Sequence, residues 1–372
     1  MKGIKNMARF LKYGITTGAT AAAAAKAAVI ALVSNPVDRV VIPTPIGIRF
    51  EIPVKESKKL SDDAAMATAV KDAGDDIDAT DKIEIHATVK LTDDGKVTVK
   101  SGKGVGKVTK PGLAVPVGDS AINPMPMKMI CEAVREALPQ GKGAEVVIDI
   151  PEGEAVAKKT LNAKLGIVGG ISVLGTTGVV KPFSMEAWKR SMVPQINIAL
   201  AKGYKRVFVV PGNIGEKITK KLFKAPDEAI IQTGDFMGYM LGKAVEKGVK
   251  EIMLLGHPGK LVKLAAGIFN THHKMGDARA EVIAAYAGAS GADSNTINRI
   301  LQSNTTEEAA EILKQVNLSR ATFDRIAEKV RSRVMERIKE KAKVSVIIVS
   351  YDGAVLGTDE SARGAEPWLN SM

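Results

Sequence analysis

Cysteine is almost absent from this sequence: Cys131 stands alone among 372 residues. One thiol excludes an internal disulfide, a cysteine-based zinc site and an iron–sulfur cluster held by this chain alone, and it suits a reducing cytoplasm. Aromatic residues are scarce too, at 4%, which counts against a single-stranded nucleic-acid platform, because such surfaces need rings for bases to stack on. Long apolar runs are missing. The most apolar early stretch, residues 21–33, is interrupted by Lys26 and falls short of the roughly 18–20 apolar residues of a membrane span. No signal-peptide layout precedes it. The expectation is a soluble, cytoplasmic protein with neither nucleic acid nor membrane as partner.

What remains is ordinary globular composition, 45% hydrophobic and 25% charged, with a bias: 53 Lys plus Arg against 41 Asp plus Glu, a net charge of +12. A positive surface of this kind steers anions. Length predicts two domains, and the pattern of segments divides at about residue 184. Before it, Thr20 precedes an alanine-rich helix to residue 33, expected to be buried. Residues 37–42 and 46–54 read as a hairpin and 63–71 as a short helix. Residues 82–91 and 96–101 read as a second hairpin turning at Asp93-Asp94-Gly95, 123–138 as a helix, 145–150 as a strand, and 169–180 as an interrupted strand. After it come a helix over 184–201, apolar strands at 206–210, 229–232, 251–255 and 344–350, and helices between them, the alternation of a parallel sheet with crossovers. Thr305 and Glu308 make a capping box, Ser319 can cap the last long helix, and Phe323, Ile326, Val330, Val334 and Ile338 mark that helix's core face. The fold class predicted is an α+β N-terminal domain with hairpins, 1–183, followed by an α/β, Rossmann-like C-terminal domain with a mostly parallel sheet, 184–372.

Chemistry can sit on few segments. Two loops share Thr-Thr-Gly, at Thr16-Thr17-Gly18 and Thr176-Thr177-Gly178, where hydroxyls and free amides at a helix start suit an anionic oxygen; an N-cap and a tight turn are the plain alternatives. Gly104 to Gly112 lets backbone approach a ligand while Lys107 and Lys110 offer charge, or it is a solvated loop. Asn123 heads a helix as a cap, and Lys181 follows the second threonine loop. In the second half Gly212, Asn213 and Gly215 follow a buried strand and open a helix, and Asp235 lies about 20 residues on, where a carboxylate takes ribose hydroxyls in doubly wound folds. Three of the four histidines fall at His257, His272 and His273, with Asp277 and Arg279 behind. Adjacent histidines are expected to diverge, so no protein-bound metal is predicted; a general base is the better use of an imidazole here.

Taken in order, these residues resemble the cobalt-precorrin-5B (C-1)-methyltransferase family, the CbiD type of anaerobic cobalamin biosynthesis. The resemblance runs through Tyr13-Gly14-Ile15-Thr16-Thr17-Gly18, Val108-Thr109-Lys110-Pro111-Gly112-Leu113, Ala121-Ile122-Asn123-Pro124, Gly170 to Gly178 with Lys181-Pro182, Pro211-Gly212-Asn213-Ile214-Gly215, and the block from Gly256 to Arg279. Thr20 stands where members commonly carry Cys, and Met127 with Lys128 where Arg is common. The resemblance implies methyl transfer from S-adenosylmethionine, as co-substrate, to carbon 1 of a cobalt corrinoid whose metal enters with the substrate. Its rim carboxylates match the positive chain. The donor is then expected at Gly212, Asn213, Gly215 and Asp235. The corrinoid is expected in a cleft between the halves, at Thr16, Thr17, Lys110, Asn123, Thr176, Thr177 and Lys181, with His257 or Asp277 as base. A non-catalytic carrier of an anionic tetrapyrrole and a phosphotransferase using the threonine loops are the competing readings. A homo-oligomer or transient contact with neighbouring pathway enzymes stays open.

Overall fold

Thr16 starts the first helix: its Oγ1 accepts from the Ala19 amide and caps α1 (Thr17–Val33). The structure, a computed structural model, describes residues 10–363 and is mixed α/β with several sheets. The chain divides into two units, Met1–Met185 and Glu186–Met372.

In the first unit six strands form one sheet: β1 (Arg39–Pro43), β2 (Arg49–Lys59), β3 (Ala64–Val70), β4 (Glu84–Thr92), β5 (Val97–Ser101) and β6 (Gly143–Asp149). Their order is β1-β2-β3-β4-β6-β5, and only the β5–β6 pair is parallel. α1 lies across β1 to β4 and along α2 (Pro124–Arg135). Between sheet and helix nearly every α1 side chain from Thr17 to Val29 is buried. Alanine makes that approach geometrically affordable, because a methyl group keeps helical propensity while adding almost no radius.

Four local expectations fail. Residues 63–71 form β3, not a helix. Ala65, Ala67 and Ala69 are all fully buried and alternate along the strand, giving α1 a flat floor of methyl groups, so packing overrides the helical propensity of alanine. The Asp93-Asp94-Gly95 turn does not join a hairpin, because β6 inserts between β4 and β5. The Asp94 carboxylate instead accepts from Thr92 Oγ1 and the Lys96 amide and turns the chain away from β4. Residues 169–180 hold only two-residue ladders, Gly170–Ile171 and Val179–Val180. The 184–201 helix is two helices, Met185–Ser191 and α3 (Pro194–Ala201), divided ahead of Pro194, which has no N–H to continue the first.

The second unit runs β7 (Arg206–Val210), α4 (Asn213–Phe223), β8 (Ile230–Gln232), α5 (Met237–Glu246), β9 (Glu251–Gly256) and α6 (Pro258–Ala265). Then come α7 (Arg279–Ala289), α8 (Ser294–Leu301), α9 (Thr306–Gln315), α10 (Ser319–Arg337), β10 (Lys343–Val349) and β11 (Val355–Thr358). Ser319 is the first helical residue of α10 rather than its cap, which is Leu318. Strand order is β8-β7-β9-β10-β11, parallel except at β11. Alternate residues face opposite cores: Val207, Val209, Ile252, Leu254, Val346 and Ile348 join Leu241, Leu261 and Phe323, whereas Phe208, Val210, Met253, Leu255 and Ile347 join Ile218 and Phe223 of α4. Both faces being covered is why these strands read as unbroken apolar runs. After β7 the chain adds β8 on one side and then crosses to place β9 on the other, so the order reverses between β7 and β9. The carboxyl ends of two such strands flank a crevice where open α/β sheets take ligands.

Candidate functional site

In the first unit the two threonine loops meet. The amides of Thr16 and Gly18 donate to the carbonyls of Gly178 and Leu174, and the Asn123 amide donates to the Val173 carbonyl, so segment 173–178 lies over the starts of both α1 and α2. Gly175 has φ of +128°, and a Cβ there would sit 2.4 Å from Thr16 Oγ1, so only glycine permits this closure. The threonines of the first loop are consumed by it. Thr16 caps α1, and Thr17 Oγ1 donates to the Leu174 carbonyl and accepts from its amide, at 3.1 and 2.9 Å. Both are buried. Thr20, also buried, donates to the Thr16 carbonyl. What faces outward is Leu174, Thr176 and Lys181, all exposed, with Thr177 folded back on Val179. Asn123 occupies the N-cap position of α2 without a side-chain cap bond.

Lys110 stands apart from this cluster: its stem lies over Gly166 and its ammonium donates to the Lys164 carbonyl at 3.3 Å. The glycines before it serve the chain itself, since a Cβ at Gly104 would meet the Ile150 carbonyl oxygen and one at Gly106 the Ile167 side chain. Lys128 is exposed beside Glu132 on α2.

In the second unit the sheet's carboxyl edge collects charge. Gly212 is extended and opens α4, with no atom within 4 Å of the place a Cβ would take. Asn213 Oδ1 accepts from Gln232 Nε2 at 2.8 Å, and Glu216 shares the same donor at 2.6 Å. Gly215 lets α4 sit down on the sheet, as a Cβ would stand 3.0 Å from Val210 Cβ and 3.3 Å from the Leu255 oxygen. Asp235, just past β8, takes Lys260 Nζ at 2.5 Å and Thr271 Oγ1 at 3.1 Å, both on Oδ1. Among the described residues Oδ2 has no hydrogen-bond partner. Burial pushes the Asp235 carboxyl up, but the Lys260 bond and charge outweigh it, with help from Thr271, and hold it below the ordinary carboxylate range.

His257 ends β9 and caps α6: its Nδ1 accepts from the Gly259 amide at 3.1 Å. Its Nε2 lies against Glu307 Oε1, and the Tyr351 ring stacks on it at 3.8 Å and 13°. With Nδ1 accepting, a neutral ring carries its proton on Nε2, yet the Glu307 contact lacks hydrogen-bond geometry: among the described residues Glu307 Oε1 is buried without a hydrogen-bond partner. Burial pushes the imidazole below its usual value while the Glu307 charge pulls the other way, and the net direction is down. Nδ1 is thus taken by the ring's own cap, while Nε2 stands at ion-pair distance from Glu307. Asp277 is engaged as well. Arg279 Nε and Nη2 fork onto its two oxygens at 2.7 and 2.5 Å and hold its carboxyl at about 2, far from the pKa of an efficient base. A cavity of about 220 Å³ opens beside this pair, lined also by Glu281, Ser303, Asn304 and Thr305. The rings of His272 and His273 do not diverge as expected but lie 4.3 Å apart, with His272 Nδ1 accepting from the Lys274 amide. Their segment lies beyond α6, which ends at Ala265. No cluster of three or more metal-ligand side chains exists among the described residues.

The family model CbiD matches residues 4–182, and CbiD, C-terminal domain, matches residues 270–360. A protein of Methanocaldococcus jannaschii named cobalt-precorrin-5B C(1)-methyltransferase is 48% identical over 349 residues, 93% of this chain and 96% of the relative. One of the same name from Moorella thermoacetica is 42% identical over 358 residues, 96% of this chain and 97% of the relative. This chain belongs to the CbiD family. The crystal structure of the cobalamin biosynthesis protein CbiD of Archaeoglobus fulgidus is 31% identical, covering 73% of this chain and 84% of that one, with a TM-score of 0.39.

For a CbiD-family chain the edge of the second unit contains more than its sequence announces. Glu307 and Tyr351 reach His257 from α9 and from the turn after β10, too far along the chain for any local pattern to link them. Lys263 could have been noticed: it interrupts the apolar run Leu261-Val262-Lys263-Leu264-Ala265 and is only 3% exposed. Among the described residues no helix is long and apolar enough to cross a membrane.

Proposed function

We infer that this chain transfers a methyl group from S-adenosylmethionine to carbon 1 of cobalt-precorrin-5B, giving cobalt-precorrin-6A, in a cytoplasmic setting. The observation that carries this reading is the match over 93–96% of the chain to relatives named for that reaction.

The residues at the second unit's sheet edge fit an adenosyl donor. The β7/β9 crevice has an unobstructed Gly212 at a helix start, and the ionised Asp235 keeps Oδ2 for ribose hydroxyls. S-adenosylmethionine supplies a methyl group on a sulfonium, which an electron-rich ring carbon can accept without prior proton transfer to the protein. The chain's contribution is then alignment and a fixed electrostatic frame. Asp235 orients by accepting hydroxyls, and Gly212 and Asn213 present backbone at the crevice. His257, whose Nδ1 is taken by the Gly259 amide, and Asp277, forked by Arg279, act as positioning residues of the loops at this edge. On the first unit, Thr176, Lys181 and Lys110 are the groups offered to the rim carboxylates of the corrinoid. The cobalt arrives within that substrate. Thr16, Thr17 and Asn123 hold the loop that presents Thr176.

Incubating the purified protein anaerobically with authentic cobalt-precorrin-5B and S-adenosylmethionine should add one methyl mass to the corrinoid. Folded protein that gives no mass gain overturns the reading. Corrinoid binding without S-adenosylhomocysteine binding would indicate a carrier, and nucleoside triphosphate binding a phosphotransferase.

A further inference from the structure

Three lysines are less than a tenth exposed among the described residues: Lys26, Lys71 and Lys263, at 9%, 1% and 3%. The first two meet carboxylates, Glu136 at 2.6 Å and Asp78 at 2.7 Å. Lys263 does not. Its Nζ donates to two backbone carbonyls, Gly276 at 2.9 Å and Thr271 at 3.3 Å, and no described carboxylate lies within ion-pair distance. An ammonium removed from water and met only by carbonyl dipoles is a poor device for stability, and burial pushes its pKa down.

The two carbonyls span the 271–276 segment, and that segment is what holds Asp235. Thr271, 1% exposed, donates its amide to the Asp235 carbonyl at 2.9 Å and its hydroxyl to Oδ1 at 3.1 Å. Lys260, one turn before Lys263 on α6, bonds the same Oδ1 and also reaches the Thr271 carbonyl at 3.4 Å. Gly276, the far anchor, leads directly into Asp277 and its Arg279 fork. One buried cation on a rigid helix thus fixes both ends of the segment whose Thr271 orients Asp235.

We propose that Lys263 is a positioning residue for the donor site: it clamps segment 271–276 onto α6 so that Thr271 and Lys260 hold the Asp235 carboxylate with one oxygen turned to the crevice. This rests on the reading of that edge as the S-adenosylmethionine site. The clamp acts on donor affinity and leaves the folded sheet intact.

The test compares wild type, Lys263→Met and Lys263→Arg by hydrogen exchange, thermal unfolding and calorimetric titration with S-adenosylhomocysteine. For Lys263→Met, amides of residues 271–279 should exchange at least tenfold faster while β9 and β10 keep wild-type protection. S-adenosylhomocysteine affinity should fall at least tenfold. In turnover, KM for S-adenosylmethionine should rise more than kcat falls. Lys263→Arg, which keeps donors for both carbonyls, should recover affinity to within about threefold of wild type. Faster exchange spread over the whole second unit, with a matching loss of melting temperature and no rescue by Arg, would make Lys263 a purely structural residue and overturn the proposal. So would a loosened segment with unchanged affinity, which leaves the donor reading standing. Wild-type protein that fails to bind S-adenosylhomocysteine would overturn the donor reading itself, and the clamp's role in it.

Discussion

Replacing Asp235 by Asn removes a charge and almost nothing else, and the structure says what that should do. Oδ1 is claimed by Lys260 Nζ and Thr271 Oγ1, so the amide oxygen of Asn must take that place, and the NH₂ group must point where Oδ2 was. An acceptor in the crevice becomes a donor. The cost to the fold is small: Asp235 and Lys260 are 30% and 40% exposed, which puts their pair at under about 1 kcal/mol, and Asn retains the Thr271 bond. The cost to a ribose is larger, since a hydrogen bond to an ionised acceptor contributes about 1.5–3 kcal/mol net. S-adenosylhomocysteine affinity should therefore drop by roughly 10- to 150-fold with little change in melting temperature. Isothermal titration of wild type, Asp235→Asn and Asp235→Ala measures this directly, and both variants should be weak because neither leaves a free acceptor for the ribose hydroxyls. The pH dependence follows from the carboxyl being held below its usual value: wild-type affinity should persist through the ordinary carboxylate range and fail only as pH drops through the lowered pKa. Affinities of Asp235→Asn and wild type within twofold of each other would refute the reasoning and move the donor away from this carboxylate.

Two further perturbations test the first unit. Glu136 receives a forked bond from Arg49, at 2.9 and 2.7 Å, and Lys26 Nζ at 2.6 Å, and chiefly through Arg49 its carboxyl is held at about 2 instead of 4.5. A depressed carboxylate stabilises above its unfolded pKa, so Glu136→Gln should lower stability by about 1–2 kcal/mol at pH 7, after discounting for a side chain about a third exposed. In denaturant titrations that difference should shrink as pH falls from about 4.5 towards 2; a difference constant with pH would show that charge is not its origin. For the corrinoid, Lys110→Met and Lys181→Met should weaken binding while sparing S-adenosylhomocysteine, more at half-buried Lys110, by about 1.5–3 kcal/mol, than at exposed Lys181. Lys339→Met on the second unit should cost under about 1 kcal/mol, and equal losses at all three, all fading with salt, would reduce the lysines to general steering.

What the sequence made legible follows the range of the force involved. β7, β9 and β10 were readable because each is a short, largely apolar run ended by glycine, proline or serine, and a strand buried on both faces needs no partner information to declare itself. Thr305 was readable as a cap because a cap is satisfied within three residues, whereas the alanine helix begins ahead of Thr20, which was expected to precede it, and is capped by Thr16. β3 was not. Ala-Ala-Met-Ala-Thr-Ala-Val has the composition of a helix, and its alternation of methyl groups against larger side chains acquires meaning only once α1 lies on it. The failed β4–β5 hairpin has the same cause at longer range, since the strand that separates the pair begins at Gly143, far beyond the turn that was supposed to join them.

The candidate site divides along the same line. Gly212, Asn213, Gly215 and Asp235 could be placed at one sheet edge because strand-then-glycine-then-helix is a local pattern and parallel strands carry their carboxyl ends to one side. For the threonine loops the sequence left a cap or turn and an anion contact both open, because a hydroxyl facing a ligand and a hydroxyl facing the Leu174 backbone have identical sequences. That difference depends on which chain arrives from 157 residues away. The same holds for charge. A net +12 suggests an anionic partner, yet Lys26, Lys71 and Lys263 are spent internally on Glu136, Asp78 and two carbonyls. Buried cations cannot steer a polyanion through solvent, so the corrinoid contacts proposed above fall to lysines such as Lys110 and Lys181, whose neighbours, rather than whose number, decide what each contributes.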